Sequence, residues 1–142
     1  MPRALLLDDE KIERSILQTI LIDAGFEVRA LPISETLPLY GDHGLFDIAV
    51  LDLSASMQNE SQIVSLCNDL AGTAILIMTD NGTISQALRV GVATAALDYI
   101  KKPFSKEEFL AAIDRTIQHA RVVIENRALK QHQPIQRTSR DS

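Results

Sequence analysis

A single cysteine, Cys67, stands in the 142-residue chain, so neither an internal disulfide nor a cysteine-based metal cluster can form. It lies in an apolar stretch and is expected to be a small buried hydrophobe. No apolar run approaches the roughly 20 residues that a membrane helix needs, and the N-terminus lacks a basic region followed by an apolar stretch and a cleavage site. No membrane association and a cytoplasmic location are the expectations. Basic residues are also in short supply: 14 Lys and Arg face 19 Asp and Glu, a formal net charge of −5. Affinity for a phosphate backbone rests on clustered Lys and Arg, so no nucleic-acid partner is expected. His43, His119 and His132 lie in separate segments without a partner at ligand spacing, and none is assigned a role as base or ligand.

What is there is the balance of a globular protein, 46% hydrophobic and 23% charged residues, in a length suited to one domain. Ala4 to Leu7 form a short apolar run stopped by Asp8 and Asp9, as in a strand buried on both faces that ends at a polar edge. From Glu10 to Ala24, Ile12, Ile16, Leu17, Ile20, Leu21 and Ala24 recur at helical spacing, with Gly25 where a C-cap belongs. Phe26 to Leu31 is a weaker strand. The segment after it, with Ser34 as N-cap, is broken by Pro38, Gly41 and Gly44 and predicts a short or irregular helix.

Phe46 to Leu53 is a third apolar run with Asp52 near its C-terminal end. A polar loop holding Ser54, Ser56, Gln58 and Asn59 leads to a helical pattern at Ile63, Val64, Leu66, Cys67 and Leu70, and then to a fourth strand, Ala74 to Met78. Turn chemistry at Thr79 to Gly82 precedes a helix through Ile84, Leu88 and Val92 and a fifth strand around Leu97 to Ile100, closed by Lys101, Lys102 and Pro103. Ser105 with Glu107 and Glu108 caps a last helix through Phe109, Ile113, Ile117, Ala120 and Ile124, reaching as far as Leu129. From Gln131 the chain is polar and holds Pro134, so residues 121–142 read as an extended helix and a disordered tail. Residues 1–120 form the domain.

Five strands alternating with five helices imply an α/β fold, a doubly wound parallel sheet covered on both faces in three αβα layers. Ligands of such sheets sit beyond the C-terminal strand ends. Asp8 and Asp9, Asp52, Thr79 and Lys102 each end a different strand and would converge there. Three carboxylates at one point repel each other unless a cation sits among them or protons stay on. Hard oxygen ligands with open positions suit Mg²⁺. An aspartate beside Mg²⁺ can act as a nucleophile on phosphorus, with a lysine helping to neutralise the transferring group; Asp52 and Lys102 fit those parts.

The stretches Leu5-Leu6-Leu7-Asp8-Asp9-Glu10, Val50-Leu51-Asp52, Ile77-Met78-Thr79 and Tyr99-Ile100-Lys101-Lys102-Pro103-Phe104, in this order over about residues 3 to 118, resemble the response-regulator receiver family of two-component signalling. The resemblance implies a flavodoxin-like five-stranded sheet in the order 2-1-3-4-5. It implies that Asp52 accepts a phosphoryl group from a histidine kinase or phosphotransfer protein, that Asp9, Asp52 and the Ser54 carbonyl bind Mg²⁺ with help from Asp8, and that Lys102 pairs with the phosphoryl oxygens. Thr79 would follow the phosphoryl group and let Tyr99 turn inward, reshaping the face of the fourth helix, fifth strand and last helix. That face or the C-terminal helix would serve a homodimer, and a downstream output domain or partner would read the change. Such a protein is a phosphoprotein switch and no enzyme beyond its own phosphorylation and dephosphorylation. The chain would be a stand-alone regulator or the N-terminal part of a longer one.

The chain departs from the family's pattern in three places. Ala55-Ser56 replace the usual Met-Pro, no glycine follows until Gly72, and the usual Gly-Ala pair before the fifth strand is displaced, with Gly91-Val92 early and Ala95-Ala96 in its place. Asp80 follows Thr79 where a small residue is usual, which brings bulk and negative charge towards the phosphoryl position. A degenerate receiver working as a phosphorylation-independent interaction module is the alternative these departures support. A phosphohydrolase would want an acid where Ser54 stands, and a flavin or nucleotide carrier a glycine- or hydroxyl-rich loop where Asp8-Asp9-Glu10 would repel phosphate.

Overall fold

The computed structural model describes residues 1–32, 46–53, 60–70, 72–80 and 96–140. Its strands are β1 (Arg3–Leu7), β2 (Glu27–Leu31), β3 (Ile48–Asp52), β4 (Ala74–Thr79) and β5 (Ala96–Lys101), and its helices α1 (Lys11–Asp23), α2 (Glu60–Asp69) and α3 (Lys106–Arg140). All pairings are parallel, and the sheet runs β2-β1-β3-β4-β5. This is the expected doubly wound sheet. The expected second and fourth helices, with Ser34, Pro38, His43, Ile84, Leu88 and Val92, lie outside the described residues, as do Ser54, Ala55 and Ser56.

Parallel strands covered on both faces must be apolar throughout, and every residue of β3 and β4 is buried. The pleat divides them by parity. Ala4, Leu6, Ile48, Val50, Leu76 and Met78 face the side covered by α1 and α3, where Leu17, Leu21, Phe109 and Ile113 meet them. Leu5, Leu7, Ala49, Leu51, Ile75 and Ile77 face Leu66, Cys67 and Leu70 around α2. Each fully buried Leu or Ile contributes about 1.5–3 kcal/mol. Cys67 is a member of this core as expected, and burial pushes its thiol up to about 12, beyond reactivity at neutral pH.

α1 ends at Gly25 in a Schellman arrangement: the Gly25 amide donates to Ile22, the Phe26 amide to Leu21, and φ of Gly25 is +99°. The apolar residues of this helix divide between the sheet and the solvent. Ile12 and Ile16 are 70% and 55% exposed and Ala24 is exposed as well, while Leu17 and Leu21 are buried. The helix is turned so that the i, i+4, i+8 line Glu13-Leu17-Leu21 faces the sheet, because the apolar stripe is wider than the face the sheet can cover.

α3 begins with a capping box: the Glu108 amide donates to Ser105 Oγ at 3.0 Å and the Ser105 amide to Glu108 Oε1 at 2.8 Å. Phe109, Ala112, Ile113 and Ala120 are buried against the sheet, and Phe104 stacks on Phe109 at 5.4 Å. The helix continues to Arg140, whereas a disordered tail is expected from Gln131. The helix runs on through Pro134, although the ring removes one amide donor and crowds the carbonyl four residues before it. Among the described residues no helix is long and apolar enough to cross a membrane.

Candidate functional site

The turn between β1 and α1 is held by its own polar groups. Asp8 Oδ1 accepts the Glu10 amide at 2.8 Å, and the Arg14 guanidinium donates to the Asp8 carbonyl at 2.8 Å. The Asp8 amide itself donates to Leu31, one residue past the end of β1. The same extension occurs at the other strands: the Leu53 amide donates to Met78 at 3.0 Å and the Lys102 amide to Thr79 at 2.7 Å. Backbone ladders therefore fix Asp8, Asp52, Thr79 and Lys102 at one rim, and the Lys102-Pro103 peptide bond there is cis.

Asp8 and Asp52 are 0% and 5% exposed, a costly position for two acids. Lys102 Nζ lies 3.0 Å from Asp52 Oδ1 and 2.6 Å from Glu13 Oε1. Asp8, Glu13 and Asp52 each bring a carboxylate oxygen within 4.8 Å of the others. Three carboxylates against one ammonium leave the cluster negative. Burial, with the neighbouring Glu13 and Asp52 carboxylates adding to it and the Glu10 amide opposing it, moves Asp8 from 3.8 up to about 8. Burial alone would lower Lys102, but Glu13 and Asp52 outweigh it and raise its pKa.

Asp8 Oδ2 is buried and has no hydrogen-bond partner, and an orphaned acceptor of this kind calls for a cation or a proton. The donor set is all oxygen, which suits a hard divalent ion. This acidic cluster can therefore hold a metal ion, with Asp8, Asp52 and Glu13 as the oxygen donors. Of the residues expected to bind one, Asp9 is exposed and outside this trio, and Ser54 lies outside the described residues. Thr79 is buried beside Met78, the register partner of Asp52. Tyr99 is 38% exposed on β5, and Asp80 is exposed after Thr79.

Glu13 is the site residue that the sequence reading misses. Its signal is present in the line Glu13-Leu17-Leu21 at intervals of four, which carries an acid on the buried side of α1 one turn from Asp8 and Asp9.

The chain matches the family model described as the response regulator receiver domain over residues 4–114. It is 31% identical over 127 residues to the transcriptional regulatory protein CusR of Escherichia coli K12, covering 86% of this chain and 54% of that protein. It is 30% identical over 122 residues to the transcriptional regulatory protein GltR of Pseudomonas aeruginosa, covering 82% and 49%. The chain thus spans about half the length of these curated relatives. Among solved structures, it resembles the chemotaxis response regulator CheY4 of Vibrio cholerae, with a TM-score of 0.68, 23% identity and coverage of 82% of this chain and 98% of that one. NtrX of Brucella abortus aligns with a TM-score of 0.71 and 22% identity, covering 92% and 29%. A match over most of the chain, in sequence and in strand order alike, places this protein in the response regulator receiver domain family of two-component signalling.

Proposed function

We propose that the chain is a phosphoryl-accepting switch in which Asp52 takes a phosphoryl group from the phosphohistidine of a sensor kinase or phosphotransfer protein. The observation that carries this is the buried Asp52 carboxylate, 3.0 Å from the Lys102 ammonium at the carboxyl rim of the sheet. Asp52 supplies the oxygen that forms the new P–O bond as the P–N bond of the donor breaks, and the donor imidazole leaves. Lys102 neutralises charge on the transferring group and on Asp52, which otherwise repel each other. Mg²⁺, when held by Asp8 and Asp52, with Asp9 and the Ser54 carbonyl as the further ligands that the resemblance implies, would supply further charge neutralisation at the phosphoryl oxygens. Thr79, buried at the end of the neighbouring strand β4, is the hydroxyl that would follow the phosphoryl group, and Tyr99, outward on β5, the ring that would turn in.

The response is a two-state element biased by local charge, with a coupling of about 1–3 kcal/mol. Its output is an altered surface around β5 and α3 for a second copy, an attached output domain or a docking partner. The reading includes a cytoplasmic location and no turnover of a separate substrate. Intact mass after incubation with Mg²⁺ and acetyl phosphate tests it. The wild-type chain is expected to gain one phosphoryl group and Asp52→Ala none. A wild-type chain that gains none, and shows no spectral or oligomeric response to beryllofluoride, would instead be a phosphorylation-independent interaction module.

A further inference from the structure

Glu13 is the one acid of the buried cluster to which the receiver resemblance assigns no part. Its Oε1 lies 2.6 Å from Lys102 Nζ, against 3.0 Å from Lys102 Nζ to Asp52 Oδ1. The ammonium that the phosphoryl group needs is thus shared, and the larger share is held by a helix residue outside the sheet. We propose that Glu13 is a positioning residue with two exclusive partners: it restrains Lys102 while the cluster holds no divalent cation, and it turns to the cation, beside Asp8 and Asp52, when one is bound.

Three observations support this. Asp8 Oδ2 is a fully buried acceptor without a donor, in the same cluster as the Glu13 and Asp52 oxygens. With Lys102 held by Glu13 and Asp52, the orphaned oxygen is left for a proton or for another cation. Charge favours the exchange: an ammonium and a dication close together repel each other, and a carboxylate able to move lowers that repulsion by following one of them. Mobility decides which partner moves. Asp8 and Asp52 are pinned at strand ends and buried, whereas the Glu13 side chain is 25% exposed and longer by one torsion, in the first turn of α1. When Glu13 turns to the cation, Lys102 keeps Asp52 as its partner, where the transferred group arrives. Cation binding would in this way arm the lysine before a donor is present.

The inference rests on the proposed receiver chemistry, and its test needs no phosphoryl donor. The full chain would be titrated with Mn²⁺ by isothermal calorimetry as wild type, Glu13→Gln, Lys102→Met and the double variant, with Glu10→Gln as a control that removes the same charge from the exposed N-cap. Glu13→Gln is expected to weaken Mn²⁺ binding about tenfold, and Glu10→Gln less than about twofold. The loss from Glu13→Gln should be larger in the Lys102→Met background, where no ion pair has to be given up first. A Glu13→Gln affinity matching that of Glu10→Gln in both backgrounds overturns the proposal and leaves the receiver reading standing. Absence of saturable Mn²⁺ binding by the wild-type chain overturns both.

Discussion

Oppositely charged side chains meet at both ends of the sheet, and burial makes them different things. At the end where the strands begin, Arg3 pairs with Glu27 at 3.4 Å with their side chains 33% and 61% exposed, lies over the Phe46 ring, and its amide donates to Asp47 at 2.8 Å. Water solvates every charge there, and each group can lose its partner at little cost. Where the strands end, Lys102 meets Asp52 and Glu13 with side chains only 15%, 4% and 25% exposed, and Asp8 is buried beside them. No charge there can be removed or added without the others responding. The contrast teaches that it is the surplus of buried acid over base, more than the presence of ion pairs, that sets the candidate site apart.

The largest way to break this comparison is to remove the shared cation. Lys102→Met should cost about 3 kcal/mol in metal-free buffer, seen as a lowered urea midpoint at unchanged slope, and Mg²⁺ should restore part of it. Next comes Asp8. Its pKa is about 8 in the folded chain against 3.8 as a free group, so between these values the folded state binds the extra proton. The contribution of Asp8 to stability in metal-free buffer is then fullest below about pH 4 and is lost as pH rises through about 8. Asp8→Asn should flatten that profile and gain about 1–3 kcal/mol at pH 8, read from thermal or urea unfolding across pH. The smallest effect belongs to the solvated end: Glu27→Ala should cost less than about 1 kcal/mol, and that loss should vanish in about 1 M salt. A Glu27 effect as large as that of Lys102 would erase the distinction between the two ends.

Much of the candidate site is legible in the sequence because strand ends announce themselves: apolar runs stop at Asp8, Asp52 and Lys102, and parallel order brings those stops to one rim. Ser105 with Glu108 is legible for the same reason, a local signal with a local cause. Helix orientation is different. Ile12, Ile16, Leu17, Ile20 and Leu21 form a stripe broader than one contact face, and hydrophobicity alone does not say which edge of it the sheet covers. The decision is tertiary, taken by Leu17 and Leu21 packing on β1, and it carries Glu13 inward and leaves Ile12 and Ile16 in water. At Pro134 a strong local breaker signal stands inside the span of α3.

The backbone bonds that run one residue past the strand ends, at Asp8, Leu53 and Lys102, carry a consequence for how such a protein can diverge. The positions of its charges are set by strand register, a discrete quantity, so the loops beyond them can change length and composition while the charges keep their spacing. Drift in those loops would change the surroundings of the rim and leave its charges in place. The spatial arrangement of those charges would be inherited whole or lost whole.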